Sequence, residues 1–252
     1  MTAKKEGLFL AHLADLARQV RQRHTFRFTG FLDPAEQAIA SAFFRQERDI
    51  NFIFNGGYPE AERRIAIICP DYQDPATIES PLAVLVITWN ERFHQPNHRD
   101  FLGAILATGL RREVIGDIIT GNSRCQVIIL AESGPFLANN LTSVGRAPVT
   151  TALEPLSGLE IPTPKTKVIT ATVASPRLDA LLAAAFGLSR SKAVPLIKGG
   201  QVKVNWREET NPDCQLAAGD VLSLRGYGRA KVAALEGTTR KGRLNVKLER
   251  WL

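Results

Sequence analysis

The chain has 252 residues, of which 44% are hydrophobic and 23% are charged. This balance is typical of folded globular domains, and it excludes collagen-like, low-complexity and wholly disordered chains. The length is sufficient for one large domain or for two to three small ones.

Positive charge is concentrated in the C-terminal third of the chain. The formal net charge is +7, yet residues 1–160 contain 16 Lys and Arg against 18 Asp and Glu, whereas residues 161–252 contain 16 against seven. A localised cationic surface is typical of proteins that bind a polyanion, either a nucleic acid or an anionic membrane surface. We therefore expect the C-terminal third to carry the binding surface.

Three cysteines are widely separated in the sequence: Cys69, Cys125 and Cys214. They form no Cys-x-x-Cys pair, which excludes the usual disulfide and zinc-finger spacings and favours a reducing compartment.

No apolar run of signal-peptide length is predicted at the N-terminus, because His12 and Asp15 interrupt the apolar residues there. The apolar run over residues 82–89 is far shorter than the roughly 20 residues that cross a bilayer. We predict a cytoplasmic protein without a transmembrane segment.

Residues 1–78 are predicted to form an N-terminal α+β unit. Asp33 followed by Pro34 is typical of a helix start, and a Gly-rich turn separates two short apolar runs. The predicted elements are helices over 5–23 and 35–45 and strands over 50–54 and 64–68.

Residues 79–160 are predicted to form a ferredoxin-like domain of the RNA-recognition-motif type. The predicted elements are strands over 82–89, 115–119, 126–130 and 147–152 and helices over 99–110 and 135–144. Their order, β-α-β-β-α-β, is that of the split βαβ fold. Strand 126–130 lacks the aromatic residues on which such domains stack bases, which favours a scaffold or a protein contact over direct RNA binding.

Residues 159–165 contain two prolines and predict a linker before the basic third. We predict a small domain over 166–235 and a basic strand extension over 236–252. Ser175, and then Ser189 or Ser191, are expected to cap two short helices, which Gly187 separates. The predicted strands are 168–173, 202–205 and 221–225.

Five sequence blocks in this domain closely resemble the RNA-binding domain named after ribosomal small-subunit protein S-four. The blocks are Arg177-Leu178-Asp179, Ser189-Arg190, Leu196-Ile197-Lys198-x-Gly200, Val202-x-Val204-Asn205 and Gly219-Asp220-Val221-Leu222-Ser223. The resemblance implies a module of two helices and a small sheet, the αL fold. The whole chain is thereby expected to be an α+β protein.

Further blocks are similar to the YlmH family and extend the resemblance over nearly the whole chain. They are Phe31-Leu32-Asp33-Pro34, Asn55-Gly56-Gly57-Tyr58, Ala61-Glu62-Arg63-Arg64, His98 to Ala104, Gly109-Leu110-x-Arg112 and Ile115-Gly116-Asp117-Ile118. Trp206 follows Val-Asn where the generic S-four domain favours Gly, and Val-Asn-Trp is similar to this particular family. Members from cyanobacteria and plastids are called photosystem II S-four domain proteins, and others are encoded near cell-division genes.

The resemblance implies RNA binding without catalysis, in ribosome-associated quality control. In that role, a family member occupies a large ribosomal subunit that carries an obstructed peptidyl-tRNA, and it contacts ribosomal RNA and tRNA. No small-molecule substrate, cofactor or metal is implied.

The candidate RNA-binding residues of the basic third are cations and a few polar or aromatic groups. They are Arg177, Ser189, Arg190, Lys192, Lys198, Lys203, Asn205, Trp206, Arg207, Arg225, Arg229 and Lys231. Arginine offers bidentate donors to phosphate, and the helix starts at Ser175 and Ser189 add backbone donors. Ser189 and Asn205 suit sugar hydroxyls, whereas Trp206 either stacks on a base or caps the core. We expect several of the cations to share one rim.

Asp179 lies within an Arg-Leu-Asp motif that pseudouridine synthases also use, but there the motif belongs to a large catalytic domain. Here it lies in the small domain, so we expect Asp179 to favour the helix dipole or to pair with an arginine. We assign no catalytic residue.

Common catalytic motifs are missing from the sequence, including the phosphate-binding loop, the nucleophile elbow and the His-Glu-x-x-His zinc helix. His94 and His98 are four residues apart, but Pro96 between them argues against metal ligands on one helix face. Two other functions stay open: an RNA-modifying enzyme with its site in residues 1–160, and a membrane-surface factor in photosystem II assembly or cell division. For a plastid-bearing organism, the location would be the stroma.

Overall fold

The computed structural model describes residues 3–90, 95–161, 166–238 and 242–251. The chain forms two compact units, Met1–Pro162 and Thr163–Leu252, hereafter unit 1 and unit 2. The division falls within the predicted linker, whose residues 162–165 lie outside the described residues.

The first half of unit 1 consists of two helices and a small antiparallel sheet of order β1-β3-β2. Its elements are α1 (Ala3–Arg23), β1 (Arg27–Phe28), α2 (Pro34–Phe44), β2 (Ile50–Asn55) and β3 (Ile65–Pro70). Asp33 caps α2 as predicted, because its carboxylate accepts from the Glu36 amide while the Glu36 carboxylate accepts from the Asp33 amide.

The second half of unit 1 is a five-stranded antiparallel sheet of order β5-β6-β4-β8-β7 with two helices. Its elements are β4 (Leu82–Trp89), α3 (His98–Ala107), β5 (Ile115–Thr120), β6 (Arg124–Leu130), α4 (Gly134–Asn140), β7 (Ser143–Val144) and β8 (Ala147–Glu154). The order of the four main strands confirms the predicted ferredoxin-like fold.

Both helices of this half end earlier than the sequence predicts. In α3 the chain turns at Gly109, which has φ +93° and stops the helix after Ala107. In α4, Leu141 is already extended, and the next residues form β7, which returns into β8 through a turn at Gly145. The prediction of a helix up to Val144 is therefore wrong.

Strand β3 is buried on both faces, which explains its unbroken apolar sequence. Ala66 and Ile68 pack with α1 and α2 in one core cluster. Ile65 and Ile67 pack in another cluster with Ile128 of β6. Unit 1 is thus a stack of helices, small sheet, larger sheet and helices.

The larger sheet is covered on both faces as a result. One face packs on α3 and α4 through residues such as Val127 and Ile129. On the opposite face, where an RNA-recognition motif stacks bases, Val84 and Ile128 are fully buried and the Gln126 amide bonds the Glu160 backbone. The first half of unit 1 therefore occupies much of that face.

Asp117 joins the two halves of unit 1 with both of its carboxylate oxygens. It accepts hydrogen bonds from the Tyr58 hydroxyl at 2.8 Å and from the backbone amides of Glu62 and Arg63 at 2.7 and 3.0 Å. Burial and the neighbouring carboxylate raise the pKa of Tyr58, so the hydroxyl stays protonated and donates. We call these four residues the Asp117 clamp.

Two arginines beside the clamp bind backbone carbonyls. The Arg63 guanidinium donates to the carbonyls of Ile115 and Phe31, and that of Arg112 donates to Ile115 and Gly116. Burial and the nearby Arg63 charge lower the pKa of Arg112 to about 10. Both side chains thus tie β5 to the segments that precede it.

Unit 2 is a six-stranded antiparallel sheet of order β11-β10-β12-β13-β14-β9 with two helices on one face. Its elements are β9 (Thr166–Val173), α5 (Leu178–Phe186), α6 (Arg190–Lys198), β10 (Val202–Val204), β11 (Arg207–Glu208), β12 (Val221–Leu224), β13 (Gly228–Thr238) and β14 (Leu244–Trp251). The predicted boundary at 235/236 falls inside β13. Arg240 and Lys241 of the predicted basic tail lie outside the described residues.

Helix α5 begins two residues later than a cap at Ser175 would place it. The Pro176 carbonyl accepts from the Leu216 amide, and Arg177 forms a β-bridge with Gln215. These bonds hold the preceding chain extended, so the helix starts at Leu178 and the predicted cap is wrong.

The apolar side chains of α5 and α6 form the core of unit 2 with the strands. Leu181 and Leu182 of α5 and Ile197 of α6 are fully buried in one cluster with Leu222 and Val246. Among the described residues, no single helix is long and apolar enough to cross a membrane. Helices α5 and α6 reach that length and apolar character only when they are taken together, and the chain bends by 115° between them.

We predict that Asp117→Asn weakens unit 1, because an amide cannot accept all three hydrogen bonds of the clamp. The free energy of unfolding should fall by about 2–4 kcal/mol, measured by exchange of the β3 amides in increasing urea. The exposed Asp71 makes no side-chain bond in the described structure, so Asp71→Asn is the matched control. Equal effects of the two variants would contradict the role of the clamp.

Candidate nucleic-acid interface

The carboxylate of Asp179, which is only 2% exposed, binds two arginines in unit 2. The Arg177 guanidinium donates two bonds to it, at 3.2 and 3.1 Å, and Arg190 donates a third at 2.5 Å. Arg177 also forms an ion pair with Asp213. The expectation that Asp179 pairs with an arginine is confirmed, and both arginines are fixed in place.

The charge of Asp179 is stabilised by these partners. Burial by itself raises the pKa of the carboxyl group, but the hydrogen bonds and charges of Arg177 and Arg190 outweigh it, so the pKa lies below its ordinary value. A carboxylate held charged by two guanidiniums has no free proton to exchange near neutral pH. This arrangement organises cations rather than acid–base chemistry.

The start of α6 presents backbone donors and cations together. Ser189 caps the helix, with its hydroxyl accepting from the Lys192 amide at 3.3 Å, and no acidic residue lies in the first turn. The Arg190 side chain is 55% exposed although it reaches Asp179, and Lys192 is exposed. The positive end of the helix dipole and these side chains favour an anion here.

At the other end of α6, Lys198 lies exposed in the last turn. The helix continues through Pro195, so Lys192 and Lys198 belong to one continuous helix. We use the name helix-side cations for Arg177, Arg190, Lys192 and Lys198.

Lys203, Arg229 and Lys231 lie on the opposite face of the sheet. Lys203 lies directly across from Ser223, and Ser223 lies directly across from Arg229, so the side chains of Lys203 and Arg229 point to the same face. Lys231 lies two residues after Arg229 on the same strand and therefore points to that face as well. The residues on either side of them in sequence, such as Val202 and Ala230, point into the core with the helices. Lys203, Arg229 and Lys231 are therefore the open-face cations, and all three are exposed.

The predicted set of cations is thus divided between two faces of the sheet rather than gathered along one rim. The alternation of side chains along a strand causes this division. Arg225 lies exposed in the turn between β12 and β13, which contains Gly226 and leads into Gly228, the first residue of β13. Both glycines have positive φ, which the tight turn requires.

Asn205 and Trp206 form the two-residue turn between β10 and β11. Asn205 donates to the Asp220 carboxylate at 2.8 Å and accepts from the Val221 amide at 2.9 Å. Both polar atoms of its side-chain amide therefore bond inside the unit. Arg207 follows the turn and is exposed.

Unit 1 contains a cleft of about 740 Å³ between its two halves, which bears on a catalytic function. Phe26, Phe28, His12, Glu36 and Glu113 are among its lining residues. The Glu36 carboxylate is engaged in capping α2, and its burial raises its pKa. Within the described ranges, no group of three or more His, Cys, Asp or Glu is suited to a metal. His94, one of the two histidines considered above as metal ligands, lies outside those ranges.

Sequence reasoning missed Asp213 as a second partner of Arg177 and Asp220 as the partner of Asn205. Asp213 lies 36 residues after Arg177 in an irregular segment, so periodicity gave no signal for the pair. Asp220 belongs to one of the quoted S-four blocks, but the block alone does not reveal what its side chain contacts.

Profiles of known families match three consecutive parts of the chain. Residues 6–72 match "YlmH, N-terminal", residues 75–157 match "Putative RNA-binding domain in YlmH", and residues 176–222 match "S4 domain". Fold and matches together define the class of protein: an α+β protein that contains RNA-binding domains, including an S-four domain in unit 2.

The chain belongs to the YlmH family. It is 38% identical over 247 residues to the Bacillus subtilis (strain 168) "Ribosome-associated protein quality control protein P2", covering 98% of this chain and 96% of the relative. A solved structure of "Cell division protein ylmH from Streptococcus pneumoniae" has the same fold, with a TM-score of 0.53 and 20% identity over 64% of this chain and 98% of that one.

We predict that Asp179→Asn destabilises unit 2 in a pH-dependent manner. Because the folded-state pKa is lowered, the charged carboxylate contributes its full stabilisation above a pH of about 4 and loses it as the pH falls through the folded-state value. The free energy of unfolding should be lower in the variant by about 2–4 kcal/mol at pH 7, and the gap should narrow below pH 4. Hydrogen exchange of the α5 amides in increasing urea, repeated at each pH, measures the free energy of unfolding of both proteins.

The matched control is Asp213→Asn, since Asp213 also pairs with Arg177 but its side chain is 63% exposed. Its effect should stay below about 1 kcal/mol. A gap between wild type and Asp179→Asn that stays constant down to pH 2 would contradict the assigned role of the charge.

Proposed function

We propose that this protein binds structured RNA of the large ribosomal subunit through the helix-side cations of unit 2, in ribosome-associated quality control. The observation that carries the proposal is the pair Arg177 and Arg190, held by Asp179 next to the start of α6. The name of the Bacillus subtilis relative supports the ribosomal setting, and the S-four match supports RNA as the ligand.

Preorganisation favours this surface as a phosphate site. A free arginine loses side-chain entropy when it binds, whereas Arg190 is already held by Asp179 and remains 55% exposed. Its planar guanidinium has further donors for phosphate oxygens. The backbone amides at the start of α6 add a second set of donors at the same place.

The open-face cations are less suited to be the primary contact. Lys203 lies directly across from Glu208, and Lys231 lies across from Glu249. These two carboxylates oppose three open-face cations, whereas Asp179 and Asp213 oppose four helix-side cations, so the larger surplus of positive charge lies on the helix side. We therefore assign Lys203, Arg229 and Lys231 a supporting role in binding.

Binding without catalysis is the proposed mode of action, with ribosomal RNA and tRNA as the RNA partners and the cytoplasm as the location. All three matched profiles are those of the YlmH family or the S4 domain. Unit 1, whose larger sheet is covered on the face that would stack bases, is proposed to contact partners by other surfaces.

We predict that the double variant Arg190→Ala and Lys192→Ala binds isolated large ribosomal subunits about tenfold or more weakly at 0.15 M salt. The dependence of log K on log salt should also become less steep by about 1–2, because two phosphate contacts are lost. Co-sedimentation over a series of salt concentrations measures both quantities, with small subunits and anionic vesicles as alternative targets.

Two further variants keep this test clear of folding effects. Lys192→Ala with Lys198→Ala removes two helix-side cations that make no ion pair in the described structure, and it should reproduce the loss. Lys4→Ala with Lys5→Ala removes the same charge from unit 1 and should leave binding unchanged. Tighter binding to vesicles than to subunits at matched salt would refute the proposal in favour of a membrane surface.

A further inference from the structure

Two cations of unit 2, Lys167 and Arg250, lie directly across from one another on the neighbouring strands β9 and β14. Lys167 lies two residues before Ile169, and Arg250 lies two residues after Leu248. The side chains of Ile169 and Leu248 pack in the core with the helices. Because alternate residues of a strand share a face, both cations lie on the helix side of the sheet. Like charges at directly opposed positions destabilise a sheet.

No carboxylate forms an ion pair with either of these cations in the part of the chain that the structure describes. The Arg250 guanidinium instead lies over the ring of Phe186, 5.2 Å from its centroid, and donates to the Tyr227 carbonyl at 3.3 Å. The Arg250 Nε is buried without a hydrogen-bond partner among the described residues. A ring and a carbonyl hold the guanidinium in place, but they do not neutralise its charge.

Tyr227 lies beside these cations, in the turn between β12 and β13. Its ring meets that of Phe186 edge-on, with the centroids 6.2 Å apart and an angle of 69° between the planes. Phe186 is 6% exposed and Tyr227 is 43% exposed, so a buried ring supports an accessible one. A Cβ atom added at Gly226 or Gly228 would meet no atom within 4 Å. The space beside the turn is therefore open.

Packing alone does not require this combination of side chains. Phe186 already supplies the apolar surface that closes the core here, whereas the opposed cations cost stability. A phosphate that reaches Lys167 and Arg250 would reverse this cost, because its oxygens accept from both side chains. Cations beside an accessible aromatic ring are the arrangement with which proteins hold single-stranded nucleotides.

We propose that Lys167, Arg250 and Tyr227, hereafter the sheet-end site, bind one unpaired nucleotide of an RNA. The cations contact its phosphate, and the tyrosine ring stacks on its base. The site lies at the C-terminal end of α5, whereas Asp179 and its arginines lie at the N-terminal end. The proposal rests on the proposed RNA binding of unit 2, and it adds a contact that favours RNA with unpaired nucleotides over fully paired RNA.

The first test uses two RNAs with the same number of phosphates: a hairpin with unpaired adenines in its loop and a blunt duplex. Tyr227→Ala should weaken hairpin binding about tenfold, because one stacked base is lost, and duplex binding by less than about twofold. Tyr227→Phe keeps the ring and should bind both RNAs as the wild type does. Tyr72→Ala removes a 71% exposed aromatic from unit 1 and should leave both affinities unchanged.

The second test, Lys167→Ala, separates binding from folding. Removal of one of two opposed cations should raise the melting temperature of unit 2, followed through the β14 amide signals, by about 1–4 °C. Hairpin binding should nevertheless weaken, and its dependence of log K on log salt should become less steep by about 0.7, the value for one phosphate contact to a single strand. Lys247→Ala is the matched control, since Lys247 lies on β14 across from Thr170 on the open face. It should leave the preference for the hairpin unchanged.

The outcomes separate the sheet-end site from RNA binding in general. Lys192→Ala with Lys198→Ala should weaken hairpin and duplex binding equally, whereas a loss confined to the hairpin reports on the sheet-end site. Equal losses on both RNAs for Tyr227→Ala, or a lower melting temperature for Lys167→Ala, would overturn this proposal alone. A Tyr227→Phe variant as weak as Tyr227→Ala would overturn the stacking. Wild-type protein that binds neither RNA would overturn both the site and the proposed function.

Discussion

The buried carboxylate of Asp179 determines how unit 2 presents its charge. Without it, Arg177 and Arg190 would repel one another across the start of α6, and their side chains would be free to move. With it, one negative charge fixes two positive ones, and the surplus of positive charge remains at the surface. The ion pair also bridges α5 to α6, so the geometry of the helix pair and the placement of its cations are one property.

In unit 1, the face of the larger sheet on which an RNA-recognition motif binds RNA is covered by other parts of the same unit. Its larger sheet has the strand order of an RNA-recognition motif, but β3 of the first half packs on the face that would be open, and Ile128 is buried there. The Asp117 clamp holds this arrangement at the edge strand β5. Gly116, which belongs to one of the quoted blocks, permits this close packing, since a side chain at this position would collide with the ring of Phe31.

Periodicity and turn residues were sufficient to predict most helices and strands and the ferredoxin-like order. They failed where a tertiary bond overrides a local signal: Ser175 does not cap α5 because Pro176 is bonded to Leu216. The site residues were recognisable as a basic set, but their division between two faces depends on strand register. Likewise, a positive φ at Trp206 cannot be derived from residue types, because Gly would be expected there.

The arrangement of unit 2 has a consequence for its synthesis. Strand β14 lies between β13 and β9, so the first strand of the sheet is paired along its full length with a strand that begins about 80 residues later. Sequence-distant pairing of this kind is slow to form and cannot precede translation of the later strand. A growing chain therefore exposes α5 and α6 before the sheet beneath them is closed. The helix-side cations therefore reach their final positions only late in folding, after β14 has been synthesised and has paired with β9.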